Sequence, residues 1–183
     1  MPRYIILMLL FISTMHLNGC KDDPLPSIIE LKIGKAAPNF ELENISGETV
    51  SLENLSGKIV LLDFWATWCP PCVVVMPILE SLQKEFPENL VVLGINFQES
   101  KEAISAFLES RDLSVESLMD PEALVAETYQ VDAIPTQILI DQNGQLVARH
   151  VGLLPPVGEF FRPMIKTLLD EPRRLSPPLS EVF

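Results

Sequence analysis

Residues 59–72 read Ile59-Val60-Leu61-Leu62-Asp63-Phe64-Trp65-Ala66-Thr67-Trp68-Cys69-Pro70-Pro71-Cys72, and the order of residue types in that stretch decides the fold class. Ile59 to Trp65 is a short, nearly unbroken apolar run of the length expected for a strand buried on both faces. Cys72 to Phe86 follows with helical character, and Pro77 inside it predicts a kink. The cysteines therefore sit where strand gives way to helix. At such a position the first cysteine lies beside free backbone N–H groups and the positive end of a helix dipole, which favour thiolate over thiol. Thiolate is the attacking species in disulfide exchange. Cys72, one turn on, is within reach of the Cys69 sulfur, and Pro70 and Pro71 stiffen the intervening pair. Taken alone, a Cys-x-x-Cys pair also fits half a zinc site or a structural disulfide. Zinc needs two further ligands, and from residue 20 onward the chain offers, beyond His150 and Cys20, only carboxylates without metal-like spacing, so no metal site is expected.

Working outward, the pattern alternates. Leu90 to Phe97 reads as a second buried strand, and Ser100 to Ser110 as a helix with Ala103, Ile104, Phe107 and Leu108 on one face. Asp120-Pro121 fits the cap and first position of a helix running to Gln130. Pro135 precedes a strand at Thr136–Ile140, and Asp141-Gln142-Asn143-Gly144 predicts a hairpin turn into Gln145–Val151. A last helix is expected over Val157–Leu169. This order predicts one α/β domain over residues 33–171, a sheet with helices on both faces. Glu43-Asn44-Ile45-Ser46-Gly47 returns as Glu53-Asn54-Leu55-Ser56-Gly57, which reads as two Ser-Gly turns rather than as a duplication.

The ends read differently. In residues 1–19, Arg3 precedes an apolar run from Tyr4 to Met15, about 18 Å of helix against a hydrocarbon core of about 30 Å, so a secretory leader fits better than a spanning helix. Leu17-Asn18-Gly19-Cys20 is similar to a bacterial lipobox, in which the cysteine receives lipid; Asn18 stands where a smaller residue is usual. An ordinary leader and an uncleaved anchor are the alternatives, and all three export the domain. Residues 20–32 read as a tether and the Pro-rich residues 172–183 as an irregular tail. The composition, 48% hydrophobic and 21% charged residues, is that of a globular rather than a disordered chain. The formal charge of −12 excludes nucleic acid or an anionic membrane surface as an electrostatic partner. Three cysteines allow one pair and leave one over.

The quoted motif, with Gly34-Lys35-Ala36-Ala37-Pro38-Asn39-Phe40 before it and Pro77, Ile134-Pro135-Thr136, Gly144 and Gly152 after it, resembles the TlpA/ResA-like, redoxin-related branch of the thioredoxin-fold proteins. The resemblance covers roughly Ile33 to Leu169. It implies a thioredoxin-like fold with a central mixed sheet flanked by helices. It further implies that Cys69 attacks, Cys72 resolves, and Pro135 is a cis proline packed against them. Ile134 would offer its backbone to a substrate chain, in a groove that includes Trp68, Pro70 and Pro71. Two positions depart from the pattern. Val75 stands where many members carry Glu. Conversely, Asp63 lies six residues before Cys69, as the buried acid of thioredoxins does, and burial would raise its pKa and suit it to shuttle a proton for Cys72.

The expected function is an extracytoplasmic thiol-disulfide oxidoreductase that reduces protein disulfides without a cofactor. Its partners would be a disulfide-containing protein substrate, a membrane electron donor that resets the pair, and the membrane itself through lipid on Cys20. The resemblance also implies roles such as cytochrome c maturation. One rival is a thiol peroxidase, but Ala66 occupies the position where those enzymes place Thr, and Thr67 falls one residue late. An oxidase using the same thiols is a second. A copper-binding or redox-sensing module is a third and would need His150, which otherwise reads as a surface or satisfied residue. Trp65 and Trp68 flank the motif as walls of the site.

Overall fold

The structure is a computed structural model that describes residues 35–170. The leader, Cys20, the tether and the Pro-rich tail lie outside the described residues.

Five strands form the central sheet: β3 (Ile59–Trp65), β4 (Leu90–Phe97), β5 (Glu116–Asp120), β6 (Thr136–Ile140) and β7 (Leu146–Val151), in the spatial order β5-β4-β3-β6-β7. β3, β4 and β5 run parallel, whereas β6 is antiparallel to β3 and β7 to β6. The sheet is therefore mixed. Every residue of β3 is buried, as its apolar run demands of a central strand. A separate hairpin of two three-residue strands, β1 (Glu41–Glu43) and β2 (Thr49–Ser51), turns at Gly47, whose φ of 86° is open to glycine without a Cβ penalty. A short 3-10 turn at Glu53–Leu55 leads from it into β3.

Alternation along β3 divides the core in two. Ile59, Leu61 and Trp65 join a cluster with Cys72, Met76 and Leu79 of α1 (Pro70–Glu85), Ile104 and Leu108 of α2 (Lys101–Ser110), and Phe161 and Ile165 of α4 (Val157–Asp170). Val60, Leu62 and Phe64 face the other way, toward Phe40, Leu52 and the short α3 (Leu124–Thr128). Helices thus cover both faces.

Local chemistry explains the boundaries. α1 begins at Pro70 rather than Cys72, because Cys69 is its N-cap and both prolines occupy first-turn positions where no N–H is needed. It then runs through Pro77 without ending. Ser100 caps α2, its hydroxyl accepting from the Ala103 N–H at 3.3 Å. The helix expected to start at Asp120-Pro121 does not start there: Asp120 closes β5, the chain turns through Ala123 at a φ of 58°, and α3 starts at Leu124. The Asp120 carboxylate still caps it from a distance, accepting from the Val125 and Ala126 N–H groups at 3.3 and 2.9 Å.

Candidate active site

Cys69 and Cys72 are joined as a disulfide, with Cα atoms 5.3 Å apart at the first turn of α1. Cys69 is 4% exposed and Cys72 fully buried, so of the two cysteines only the first touches solvent. The backbone N–H of Cys72 donates to Cys69 Sγ at 3.3 Å. Such a donor at a helix N-terminus stabilises negative charge on that sulfur once the bond is open.

Several elements hold this turn in place. Thr67, two residues before Cys69, donates its N–H to Glu99 Oε2 at 2.7 Å and its hydroxyl to Glu99 Oε1. The buried Asn96 fixes the same carboxylate from β4 through Nδ2, at 2.8 Å. Trp65 is fully buried, its ring centroid 5.5 Å from that of Phe107 and its edge over Gly94. Trp65 is thus core under the site. Trp68 is 63% exposed beside Cys69 and forms surface.

The opposite wall comes from the start of β6. Thr136 pairs with Phe64 at the end of β3, which brings the preceding Ile134–Pro135 segment alongside the cysteine turn. That peptide bond is cis, and Ile134 packs on the cluster containing both cysteines. The Gly152 N–H donates to the Pro135 carbonyl at 2.8 Å, setting the loop after β7 beside it. Leu153 and Leu154 in that loop are exposed, as are Trp68 and Pro70, while Pro71 and Ile134 are half-buried. The disulfide thus opens onto an apolar rim.

Beneath it lies Asp63. It shares the β3 face of Leu61 and Trp65, the side covered by α1, and is fully buried. Desolvation pushes its carboxyl up to about 7, opposed by the hydrogen bond from Gln137 Nε2 at 2.7 Å. Val75, where the related pattern has Glu, is packed in the core. Sequence reasoning missed Gln137 and Glu99. The only signal for Gln137 was a polar residue inside the short run Thr136–Ile140; Glu99 carried none, because its partner Thr67 is 32 residues away. His150 is buried and held by Gln137 and the Pro155 carbonyl.

The chain matches the model of the AhpC/TSA family over residues 33–149. It is 40% identical over 129 residues to the thioredoxin-like protein YneN of Bacillus subtilis, covering 69% of this chain and 75% of that one. To the thiol-disulfide oxidoreductase ResA of Bacillus cereus it is 35% identical over 124 residues, 67% of this chain and 72% of the relative. Among solved structures, a thiol-disulfide oxidoreductase from Bacteroides fragilis superposes with a TM-score of 0.64 at 32% identity, covering 73% of this chain and 99% of that one. A thioredoxin-like domain with a disulfide at the first turn of its first helix, and these relatives, agree in one assignment: the chain belongs to the AhpC/TSA family and is a thiol-disulfide oxidoreductase.

Proposed function

We propose that the protein reduces disulfides in protein substrates outside the cytoplasm, with Cys69 as nucleophile and Cys72 as resolving thiol. The observation that carries this reading is the asymmetry of the pair: Cys69 reaches solvent at a helix N-cap, and Cys72 does not. In the reduced enzyme the Cys69 thiolate attacks one sulfur of the substrate disulfide. A mixed disulfide forms and the first substrate thiolate leaves. Cys72 then gives its proton to the Asp63 carboxylate, attacks Cys69 Sγ and expels the second substrate sulfur. Two electrons have passed to the substrate, and the Cys69–Cys72 disulfide remains. No cofactor enters the cycle. A membrane electron donor returns the two electrons.

Ile134 and Pro135, with Trp68, Pro70 and Pro71, form the groove for the substrate chain; exposed apolar side chains beside a reactive sulfur suit an unfolded or extended segment. Apocytochrome c is such a substrate, and the family resemblance supports it. Residues 1–19 act as a leader, lipid on Cys20 holds the protein at the membrane, residues 20–32 tether the domain formed by residues 33–171, and residues 172–183 trail from it. An exported location suits disulfide chemistry. No helix among the described residues is long and apolar enough to cross a membrane.

Insulin reduction and hydroperoxide turnover, measured side by side with one dithiol donor, test the reading. Insulin reduction that needs both cysteines, with hydroperoxide turnover at background, is expected. Hydroperoxide turnover surviving in Cys72→Ser, with insulin untouched, would overturn it in favour of a peroxidase.

A further inference from the structure

Asp63 does not stand alone in the core. Across β3, β6 and β7 it stands level with Gln137 and His150. Gln137 Nε2 lies 2.7 Å from Asp63 Oδ1, Gln137 Oε1 lies 2.9 Å from His150 Nδ1, and His150 Nε2 lies 2.7 Å from the carbonyl oxygen of Pro155. All three side chains are buried.

The proton positions in this row are constrained by its ends. A carbonyl oxygen only accepts, so His150 Nε2 must carry a proton. With the Gln137 amide nitrogen on Asp63, its oxygen faces Nδ1, which must then be protonated as well. His150 is then a cation and Asp63 a carboxylate. With the amide turned over, Asp63 must carry a proton to donate to the Gln137 oxygen, and the Gln137 nitrogen donates to a bare Nδ1. Both ends are then neutral. These two arrangements hold the same number of protons and satisfy every bond in the row. A carboxylate with a neutral imidazole sets an acceptor against an acceptor, and an acid with an imidazolium sets donor against donor. Either mixture forfeits a buried hydrogen bond.

We propose that Gln137 and His150 are positioning residues of this oxidoreductase: Gln137 couples the protonation of His150 to that of Asp63, so that His150 supplies the counter-charge whenever Asp63 is the carboxylate that accepts the Cys72 proton. The inference rests on the reading of Asp63 as that acceptor. Among the described residues no other charge competes. Of the ionisable groups of α1, only the cysteine pair belongs to the buried cluster on this face, and α4 brings the Phe160 and Phe161 rings, 5.1 and 6.1 Å from the imidazole. Arg162 and Lys166 of α4 pair with Glu85, and Glu159 is exposed. Arg149, next along β7, binds the Tyr129 and Gln130 carbonyls and Asp132 instead. Burial pushes Asp63 up and His150 down, so each resists its own charge when taken singly. In the resolving step Asp63 gains the Cys72 proton, the amide turns over, and His150 releases one proton to solvent. That proton balances the substrate thiolate set free.

The test is ring-nitrogen NMR of the full oxidised chain, labelled at its two histidines, from pH 5 to 9 without substrate. A His150→Gln spectrum identifies His16. The proposal expects the His150 transition to move down by at least one pH unit in Asp63→Asn, because no anion then calls for the second ring proton. In Gln137→Met, which breaks the bridge, adding Asp63→Asn should leave it unmoved. An identical His150 transition in the wild-type chain and in Asp63→Asn overturns the coupling. Where Asp63→Asn does not fold, a His150 transition unchanged by Gln137→Met overturns it equally. In turnover, His150→Gln should shift the acid limb of the pH–rate profile upward, a roughly tenfold loss at pH 6 and none at pH 9. A uniform loss at every pH is the result of a merely structural role. Coupled titrations with an unshifted profile would instead overturn Asp63 as the acceptor.

Discussion

Asp63 makes a quantitative demand on stability that is separate from catalysis. Its folded-state pKa of about 7 lies above the ordinary carboxyl value of 3.8, chiefly through desolvation. The sign follows directly. The folded protein holds the proton more tightly than the unfolded chain does, so the contribution of this group is fully present below about pH 4. It is lost as pH rises through 7. Asn at this position cannot ionise and escapes that loss. Between pH 5 and the folded pKa near 7, the wild-type protein loses about 1.4 kcal/mol per pH unit from this group and Asp63→Asn loses none. The stability of Asp63→Asn relative to the wild type should therefore rise by roughly 3 kcal/mol between pH 5 and pH 8. Titrating groups outside the Asp63–Gln137–His150 row are shared and cancel, and the figure is that of Asp63 taken singly. Urea unfolding of the oxidised proteins at pH 5, 6, 7 and 8, followed by tryptophan fluorescence, measures the difference directly. A difference between the two proteins that stays constant across this range would refute both the burial argument and the proton-acceptor role built on it.

Two further substitutions probe the scaffold of the site. In Gly94→Ala the new Cβ would lie 2.8 Å from Trp65 Nε1 and 3.2 Å from its Cδ1, against ring atoms with no room to retreat; a loss of about 1–3 kcal/mol in urea unfolding is expected, with a shifted Trp65 emission. Glu99→Ala strips the Thr67 N–H, the Thr67 hydroxyl and the Asn96 amide of their shared acceptor; about 1–3 kcal/mol of stability should go, and the rate of attack by Cys69 should fall, read by stopped-flow alkylation of the reduced protein.

The centre of the sheet was legible because its signals are local. Seven consecutive apolar or buried residues run straight into the cysteine turn, so β3 could be placed from residue types alone and the start of α1 to within two residues. β1 and β2 were not, since three residues each are too few to show a period of two. β5 was hidden by Glu116 and Asp120 at the ends of its apolar centre, and Asp120-Pro121 imitated a helix start. Asp120 caps α3 after all, from five and six residues away, a spacing no short motif encodes. Asp63 could be suspected from its apolar neighbours. Its partner Gln137 is 74 residues distant, and only the register of β3, β6 and β7 brings Asp63, Gln137 and His150 into one row. Local chemistry thus foretold the sulfur turn, while the polar row beneath it depends on strand pairing.

The division of labour between the two cysteines is the central claim, and trapping tests it most directly. Reduced Cys69→Ser and Cys72→Ser variants are each mixed with a disulfide-bonded protein substrate, quenched with acid and alkylated, and the covalent adducts are counted by mass. Cys72→Ser should accumulate the mixed disulfide on Cys69, because no thiol remains to resolve it, while Cys69→Ser, left with a fully buried thiol, should trap almost none. Equal trapping by both variants, or trapping by Cys69→Ser alone, would contradict the account.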